Sequence, residues 1–377
     1  MFGEIVDALS GDFIWLPFAV LALSLVHMSQ IPKREYRVGL ANLLAVLLGG
    51  VLVVVCTNAV FNRMDLERRS AIVREKWYVP EGANKGPVMM LIGSSYTRHG
   101  INPEIVNKIW AAENIHTRLM TRAAGGASRL EQWILLEDAQ KVLGRMPEQV
   151  MFEIHSQWDA VPLYGLKNPM SSRAINQITD STLRWAFLAV LYDDRFAAQG
   201  KTYPTGLNTV VEIVKHYLAG KVNFGLAQKQ NMIVHASARS TSAFRPLAMR
   251  KASVDLAKLS QWLATPAPYD ETAPSLSESN PWLDVYFSDV KSRIEAAGGR
   301  LAGYYSLPNS SPNFRGYTRQ FCAWKADSYC LNANLPDVFR DYGSVDMWYD
   351  YTHLLDKGAE LVSVWFAYRL IKDKVVS

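Results

Sequence analysis

The apolar residues divide the chain into an N-terminal part with long apolar stretches and a longer part in which short apolar runs alternate with amphipathic segments. Residues 13–31 and 38–61 each approach the ~20 residues that cross a bilayer as a helix. The polar segment between them, residues 32–37, has the length of a turn. We therefore predict a transmembrane helical hairpin over residues 1–62, followed by a connector over residues 63–87.

The first of the two apolar stretches is the less regular, because Pro17 interrupts it and His27 and Gln30 lie near its end. A re-entrant or interfacial segment is the alternative to a full span there. A cleavable signal peptide is disfavoured, since the first ten residues contain Glu4 and Asp7 and no Lys or Arg. The hairpin is thus expected to stay attached as a membrane anchor.

Beyond the connector, short apolar runs are separated by segments of helical periodicity. The runs that indicate strands are residues 88–92, 116–120, 150–154 and 301–305. The segments that indicate helices are residues 128–143, 280–297 and 355–371. Such alternation predicts a parallel sheet covered by helices, which is an α/β catalytic domain over residues 88–377.

Residues 162–279 do not continue the alternation and are predicted to be an insertion. They contain helical pieces at 209–218 and 247–263, followed by a linker rich in Pro, Ser and Glu at 266–279. We expect the insertion to shape the substrate site or a partner surface.

Composition narrows the class of protein. The 377 residues carry a net charge of +5 and are 49% hydrophobic, which excludes wholesale disorder. No dense block of Lys and Arg is present, so nucleic acid is an unexpected partner. Of the three cysteines, Cys56 lies in an apolar stretch, whereas Cys322 and Cys330 lie close together and either form a disulfide or are reduced bystanders.

Charge evidence for the orientation of the anchor conflicts. The predicted turn at residues 32–37 contains three basic residues, which favours a cytoplasmic turn, but five basic residues follow the second span within residues 63–76. Counts beside a large translocated domain weigh less, and a cysteine pair suits an oxidising compartment. We therefore expect an extracytoplasmic catalytic domain, on the periplasmic or cell-surface side of the inner (cytoplasmic) membrane.

A candidate nucleophile follows the first predicted strand. A serine becomes nucleophilic when a turn exposes its hydroxyl and a neutral imidazole lies within hydrogen-bonding distance. Gly93-Ser94-Ser95 supplies such a turn, although the same tripeptide is common in ordinary loops between strands and helices.

A candidate base lies near the other end of the chain, just before the last predicted helix. Asp350 precedes His353 by three residues, a spacing that can bring a carboxylate to Nδ1 and leave Nε2 free to accept a proton. Asp346 and Asp356 are competing carboxylates. A loop histidine beside a solvated carboxylate is the non-catalytic alternative.

Two loops can supply donors to a developing oxyanion. Gly126 follows the second predicted strand, where its N–H can point into a cleft without obstruction by a side chain. Gln157 follows the third predicted strand and can offer a side-chain amide. The alternatives are a helix entry turn capped by Ser128 and a plain surface glutamine. No ligand-like spacing of His or Cys is present, so neither a metal nor another cofactor is expected.

The order of these motifs resembles that of the SGNH (GDSL-like) hydrolases over residues 86–371, apart from the insertion. Shared features are a Gly-x-Ser turn after the first strand, a glycine after the second, an amide residue after the third and Asp-x-x-His before the last helix. Within that superfamily, the segment Ser156-Gln157-Trp158 makes the chain most similar to the DltD-type D-alanyl transfer proteins. The family's usual Ser-Pro-Gln-Trp is here His155-Ser156-Gln157-Trp158. Further departures are glutamine where the superfamily has asparagine, and two apolar spans in place of one anchor.

The resemblance implies a three-layer, flavodoxin-like SGNH domain. It implies Ser95 as nucleophile, His353 as base and Asp350 as the carboxylate that orients the base. The Ser95 N–H, the Gly126 N–H and Gln157 are then the oxyanion donors. It also implies a partner, a membrane-bound O-acyltransferase of the DltB-like kind that delivers the acyl group across the bilayer.

The expected function is O-acyl transfer, of a D-alanyl or acetyl group, to a glycan or other cell-envelope or extracellular polymer through an acyl-enzyme. An extracytoplasmic carbohydrate esterase would use the same residues, because only the second nucleophile differs. A non-catalytic scaffold subunit of a membrane acyltransferase complex is the third expectation.

Overall fold

The computed structural model describes residues 86–123, 127–154, 178–192, 247–268 and 282–376, together with four isolated residues between 213 and 244. The predicted hairpin, nearly all of the connector and most of the insertion lie outside these residues. Among the residues that are described, no helix is both long and apolar enough to cross a membrane.

In the described part of the chain, five strands form one sheet in which every pairing is parallel. They are β1 (Val88–Gly93), β2 (Arg118–Ala123), β3 (Gln149–Glu153), β4 (Arg300–Ser306) and β5 (Cys330–Asn332). Their order across the sheet is β2-β1-β3-β4-β5, which is compatible with a flavodoxin-like doubly wound fold. The predicted α/β class with a parallel sheet is confirmed.

Helices connect the strands and lie on both sides of the sheet. They are α1 (Ser95–Gly100), α2 (Pro103–Ala112), α3 (Arg129–Leu143), α4 (Leu183–Tyr192), α5 (Leu256–Ala264), α6 (Trp282–Ala296), α7 (Pro312–Trp324), α8 (Pro336–Phe339) and α9 (Asp356–Lys372). Short 3₁₀ turns at Arg340–Tyr342 and Val345–Met347 lead from α8 towards α9.

Alternate residues of the central strands enter two separate apolar clusters. In β1, Met90 and Ile92 pack in one cluster with helices α3, α4 and α6, whereas Met89 and Leu91 pack in the other with α2 and α9. Because successive side chains of a strand point to opposite faces, each face of the sheet has its own buried layer. This burial on both faces explains why the strands read as continuous apolar runs rather than alternating ones.

A local irregularity lies between β3 and β4. Val150 pairs with Leu301 and Met151 pairs with Gly303, so Ala302 is an extra residue in β4. Gly303 has a φ of 143°, and a side chain there would clash with the carbonyl oxygen of Tyr329. The bulge therefore requires glycine at this position.

Two predicted boundaries were wrong. Strand β2 extends to Ala123 rather than ending at residue 120, because its charged Arg122 forms an ion pair of 2.6 Å with Asp138 of α3. Helix α5 begins at Leu256 rather than at residue 247, because the Asp255 side chain caps it by accepting the N–H groups of the first turn. Helix α7 and strand β5 were not predicted.

The structure pairs Cys322 of α7 with Cys330 of β5 in a disulfide, with 5.6 Å between their Cα atoms. Of the two alternatives left open by the sequence, the disulfide is therefore the one present in the fold.

Candidate active site

The candidate nucleophile lies at the carboxyl end of β1. Strand β1 ends at Gly93, Ser94 is the N-cap of α1, and Ser95 is the first residue of that helix. Strand order reverses at β1, which has β2 on one side and β3 on the other. The crevice at the carboxyl ends of the strands beside such a reversal is where doubly wound folds bind ligands.

Folding brings three predicted residues together. His353 Nε2 lies 2.9 Å from Ser95 Oγ, although the two residues are 258 positions apart in the chain. His353 Nδ1 lies 3.0 Å from each of the Asp350 carboxylate oxygens. With Nδ1–H donating to the carboxylate, Nε2 presents its lone pair to the serine hydroxyl. This is the order of contacts that activates a serine for nucleophilic attack.

The Asp350 carboxylate is held by its neighbours in the loop. Its Oδ1 accepts the N–H groups of Thr352 and His353, both at 2.8 Å, and the Thr352 hydroxyl at 3.0 Å. Burial by itself would raise the pKa of Asp350, but the hydrogen bonds and the charge interaction with His353 lower that pKa well below its ordinary value. Asp350 is therefore ionised at neutral pH and able to stabilise an imidazolium.

The two competing carboxylates do not contact His353. Asp346 is largely exposed and lies 3.8 Å from Arg250, and Asp356 begins α9. Only Asp350 is within hydrogen-bonding distance of the imidazole among the described carboxylates.

The loop that carries Asp350 and His353, residues 348–354, is called here the triad loop. Its ends are closed by a backbone bond from Tyr349 N–H to the His353 carbonyl at 2.9 Å and by a bridge between Trp348 and Leu354. Trp348 is fully buried and donates its indole N–H to the Tyr342 carbonyl at 2.8 Å. The loop is thus anchored in the core beneath the triad.

Part of the predicted insertion supports the triad loop from outside. Arg250 donates to the carbonyl oxygens of Val345 and Trp348 at 2.5 and 3.1 Å, and Lys251 N–H donates to the Tyr349 carbonyl at 3.0 Å. Both residues belong to the predicted insertion, whose role in shaping the substrate site or a partner surface stays a prediction. Sequence reasoning missed Arg250, because nothing local to it indicates a contact about a hundred positions away.

Two aromatic rings of α1 flank His353. The rings of Tyr96 and His99 each lie 5.4 Å from the His353 imidazole, measured between ring centroids. His99 is not among the predicted site residues, because no His or Cys lies at a ligand-like spacing from it. Its position four residues after Ser95, on the same face of the helix, is the signal that could have identified it.

Of the three predicted oxyanion donors, the described residues include the Ser95 N–H alone. Gly126 and Gln157 lie outside the described residues, although Ser128, just after Gly126, caps α3 in a capping box with Glu131. The Ser95 N–H has no acceptor among the residues that the structure describes, so it is available to a developing oxyanion.

A buried carboxylate behind the nucleophile was also missed. Glu153 ends β3, is 1% exposed, and accepts hydrogen bonds from the turn that carries Ser95. A charged residue within the apolar run 150–154 was the available signal, since buried carboxylates in proteins are almost always paired.

Within the described ranges no cluster of three or more His, Cys, Asp or Glu side chains is arranged to hold a metal ion. No protein-family model matches the chain, and no curated protein matches it.

Proposed function

We propose that the chain is a membrane-anchored serine O-acyltransferase with an SGNH hydrolase fold, which transfers a D-alanyl or acetyl group to a cell-envelope or extracellular polymer. One observation carries the proposal, namely the continuous contact from Ser95 Oγ through His353 to Asp350. The position of Ser95 beside the reversal in strand order of a parallel sheet adds support, because doubly wound folds bind ligands at that place.

The reaction has two halves. His353 Nε2 removes the Ser95 proton as Oγ attacks the donor's acyl carbonyl, and the leaving group then takes that proton from the imidazolium. In the second half His353 removes the proton of a polymer hydroxyl, whose oxygen attacks the Ser95 ester, and the departing Ser95 Oγ takes that proton from the imidazolium. Asp350 stabilises the imidazolium in both halves, and the Ser95 N–H, with Gly126 and Gln157 as the further proposed donors, binds the oxyanion.

The remaining parts of the proposal follow the resemblance stated for the sequence. The anchor at residues 1–62 holds the domain at the inner (cytoplasmic) membrane, with the active site on the extracytoplasmic side. A membrane-bound O-acyltransferase passes the acyl group across the bilayer, since Ser95 cannot reach a donor made inside the cell. The disulfide between Cys322 and Cys330 supports an oxidising compartment.

The first experiment asks whether Ser95 is a nucleophile. The full-length chain, purified in detergent, is incubated with a fluorophosphonate, and intact-mass spectrometry reports the adduct. We expect one adduct, absent in Ser95→Ala and still formed in Ser94→Ala. A folded wild-type chain that does not react would contradict the proposal and favour the scaffold subunit.

The second experiment separates transfer from hydrolysis. The same chain receives an activated acyl ester with and without a soluble glycan acceptor. Acylation of the acceptor that depends on Ser95 supports the transferase. Ester hydrolysis that the acceptor leaves unchanged would replace it with the carbohydrate esterase.

A further inference from the structure

The carboxylate of Glu153 lies directly behind the turn that carries the nucleophile. Glu153 is the last residue of β3, next to β1 in the sheet, and only 1% of it is exposed. An ionised carboxylate that is buried without partners costs several kcal/mol, so its contacts must compensate for lost water.

Four donors of the nucleophile turn, residues 93–97, bind this carboxylate. Its Oε2 accepts the N–H of Ser94 at 2.9 Å and the N–H of Thr97 at 3.0 Å. The hydroxyl of Ser94 donates to Oε1 and the hydroxyl of Thr97 donates to Oε2. Three of these bonds end on Oε2 and one ends on Oε1, so both carboxylate oxygens accept hydrogen bonds from the turn.

A third hydroxyl extends the network to β4. The Tyr305 hydroxyl oxygen lies 2.6 Å from Thr97 Oγ1 and 3.3 Å from the Ile92 carbonyl oxygen. Because the Thr97 hydrogen already points to Glu153, the Tyr305 hydrogen is shared between Thr97 Oγ1 and the Ile92 carbonyl. Burial, and next the charge of Glu153, raise the pKa of Tyr305 well above its ordinary value, which keeps this hydroxyl protonated. Tyr305 thus links Thr97 to β4, while Thr97 itself donates to the Glu153 carboxylate.

These bonds determine which amide remains available for catalysis. Of the amides at the start of α1, those of Ser94 and Thr97 bind Glu153, and that of Tyr96 binds Ser94 Oγ at 3.2 Å. The Ser95 N–H is the one without an acceptor in the described part of the chain. Bonds on both sides of Ser95 thus hold its backbone, from which its Oγ reaches His353 Nε2 at 2.9 Å.

The same carboxylate explains the glycine of the motif. A side chain at Gly93 would collide with Thr97 Oγ1, and its Cβ would lie 2.5 Å from Glu153 Oε2. Glycine is required at position 93 because the strand end must approach this buried network closely.

We infer that Glu153 is a positioning residue for the nucleophile, whose buried carboxylate orients the Ser95 hydroxyl towards His353 and leaves the Ser95 N–H for the oxyanion. This inference rests on the proposed function, since it concerns the reactivity of Ser95. It adds a carboxylate that acts on the serine end of the triad, opposite to Asp350, which acts on the histidine end.

The test uses the full-length chain and the fluorophosphonate, and separates probe binding from the first-order rate constant of Ser95 labelling. Glu153→Gln is nearly isosteric but loses the charge and one acceptor. We expect the rate constant to fall about 10²-fold, as displacements near 1 Å do, with probe binding little changed. A purely structural role would lower thermal stability without this selective loss.

Glu148→Gln is the matched control. Glu148 also accepts an N–H of β1, that of Val88 at 2.7 Å, but it does so at the end of the sheet opposite the nucleophile. We expect Glu148→Gln to label at the wild-type rate. If the two variants lose reactivity equally, the effect is general destabilisation and the inference is wrong.

Thr97→Val covers the case in which Glu153→Gln does not fold. It keeps the shape and the backbone donor of Thr97 but removes one hydroxyl donor to Glu153, so we expect a roughly tenfold fall in the rate constant. Wild-type rates in a folded Glu153→Gln, or in Thr97→Val if the former is unfolded, overturn the inference. A wild-type chain that never labels refutes the proposed function itself and the inference with it.

Discussion

Replacing Asp350 with asparagine tests whether the Asp350 carboxylate sets the tautomer of His353. In the structure Oδ1 of Asp350 accepts two backbone N–H groups, from Thr352 and His353, and both carboxylate oxygens lie 3.0 Å from His353 Nδ1. An asparagine would keep its oxygen on the two backbone donors, because its amide nitrogen cannot accept them. The amide nitrogen would then face Nδ1 and donate to it.

The substitution of Asp350 by asparagine therefore changes which nitrogen of His353 carries the proton. With Nδ1 accepting, the proton moves to Nε2, which is the atom 2.9 Å from Ser95 Oγ. Nε2–H cannot remove the serine proton, and no carboxylate stabilises the imidazolium. Such a wrong tautomer costs about 10⁴-fold in rate, equivalent to about 5.5 kcal/mol of activation free energy.

Fluorophosphonate labelling of Ser95 and turnover of an activated ester give the rate, and circular dichroism shows whether Asp350→Asn remains folded. The loop bonds that asparagine retains predict that it does. A folded Asp350→Asn with near-wild-type reactivity would refute the reasoning. It would show that Ser95 and His353 work as a dyad, or that another carboxylate supports the imidazole.

Three further predictions concern the surroundings of the triad. Arg250→Gln removes charged donors to two carbonyls at the triad loop, so we expect roughly tenfold slower labelling of Ser95. Arg184→Gln, which breaks an exposed ion pair, is the control and should have no effect. Equal labelling rates in the two variants would show that Arg250 does not support the loop. The folded pKa of Asp350 is depressed below its ordinary 3.8, so the bonds of its carboxylate stabilise the fold above that pH, and this contribution is lost as the pH falls through the depressed value. The thermal midpoints of the wild type and Asp350→Asn should therefore converge in acid. A constant difference between the two midpoints down to low pH would contradict the assignment. Reduction of the Cys322–Cys330 disulfide, which joins residues eight positions apart, should cost about 2.5 kcal/mol of unfolding free energy in a denaturant titration, and unchanged stability would show that the bridge is absent in solution.

Much of the fold could be predicted because each central strand has a recognisable pattern of apolar residues in its own segment of the chain. The run before Gly93 is apolar at every position since both faces of the sheet are covered, and Ser128 with Glu131 marks the start of α3. The three-residue spacing of Asp350 and His353 likewise reflects a contact made within one short loop. Local patterns of this kind depend on neighbours along the chain, so the sequence alone determines them.

Other features depended on packing between distant segments. Strand β5 is only three residues long, too short for a periodicity to be recognised, and it is defined by its pairing with β4. Arg250 acts on a loop about a hundred positions away, and Glu153 binds a turn more than fifty positions before it. Nothing in the residues next to Arg250 or Glu153 indicates these partners.

The α/β class, the serine turn after the first strand and the aspartate–histidine pair could all be predicted, because each is encoded by hydrophobic periodicity or by a spacing of a few residues. Three contacts depend on the tertiary structure: that of Ser95 with His353, that of the imidazole with Asp350 rather than Asp346, and that of Glu153 with the serine turn. The physical reason is that these contacts form where the parallel strands of one sheet end side by side, and strand order, which no local pattern encodes, sets which ends are neighbours.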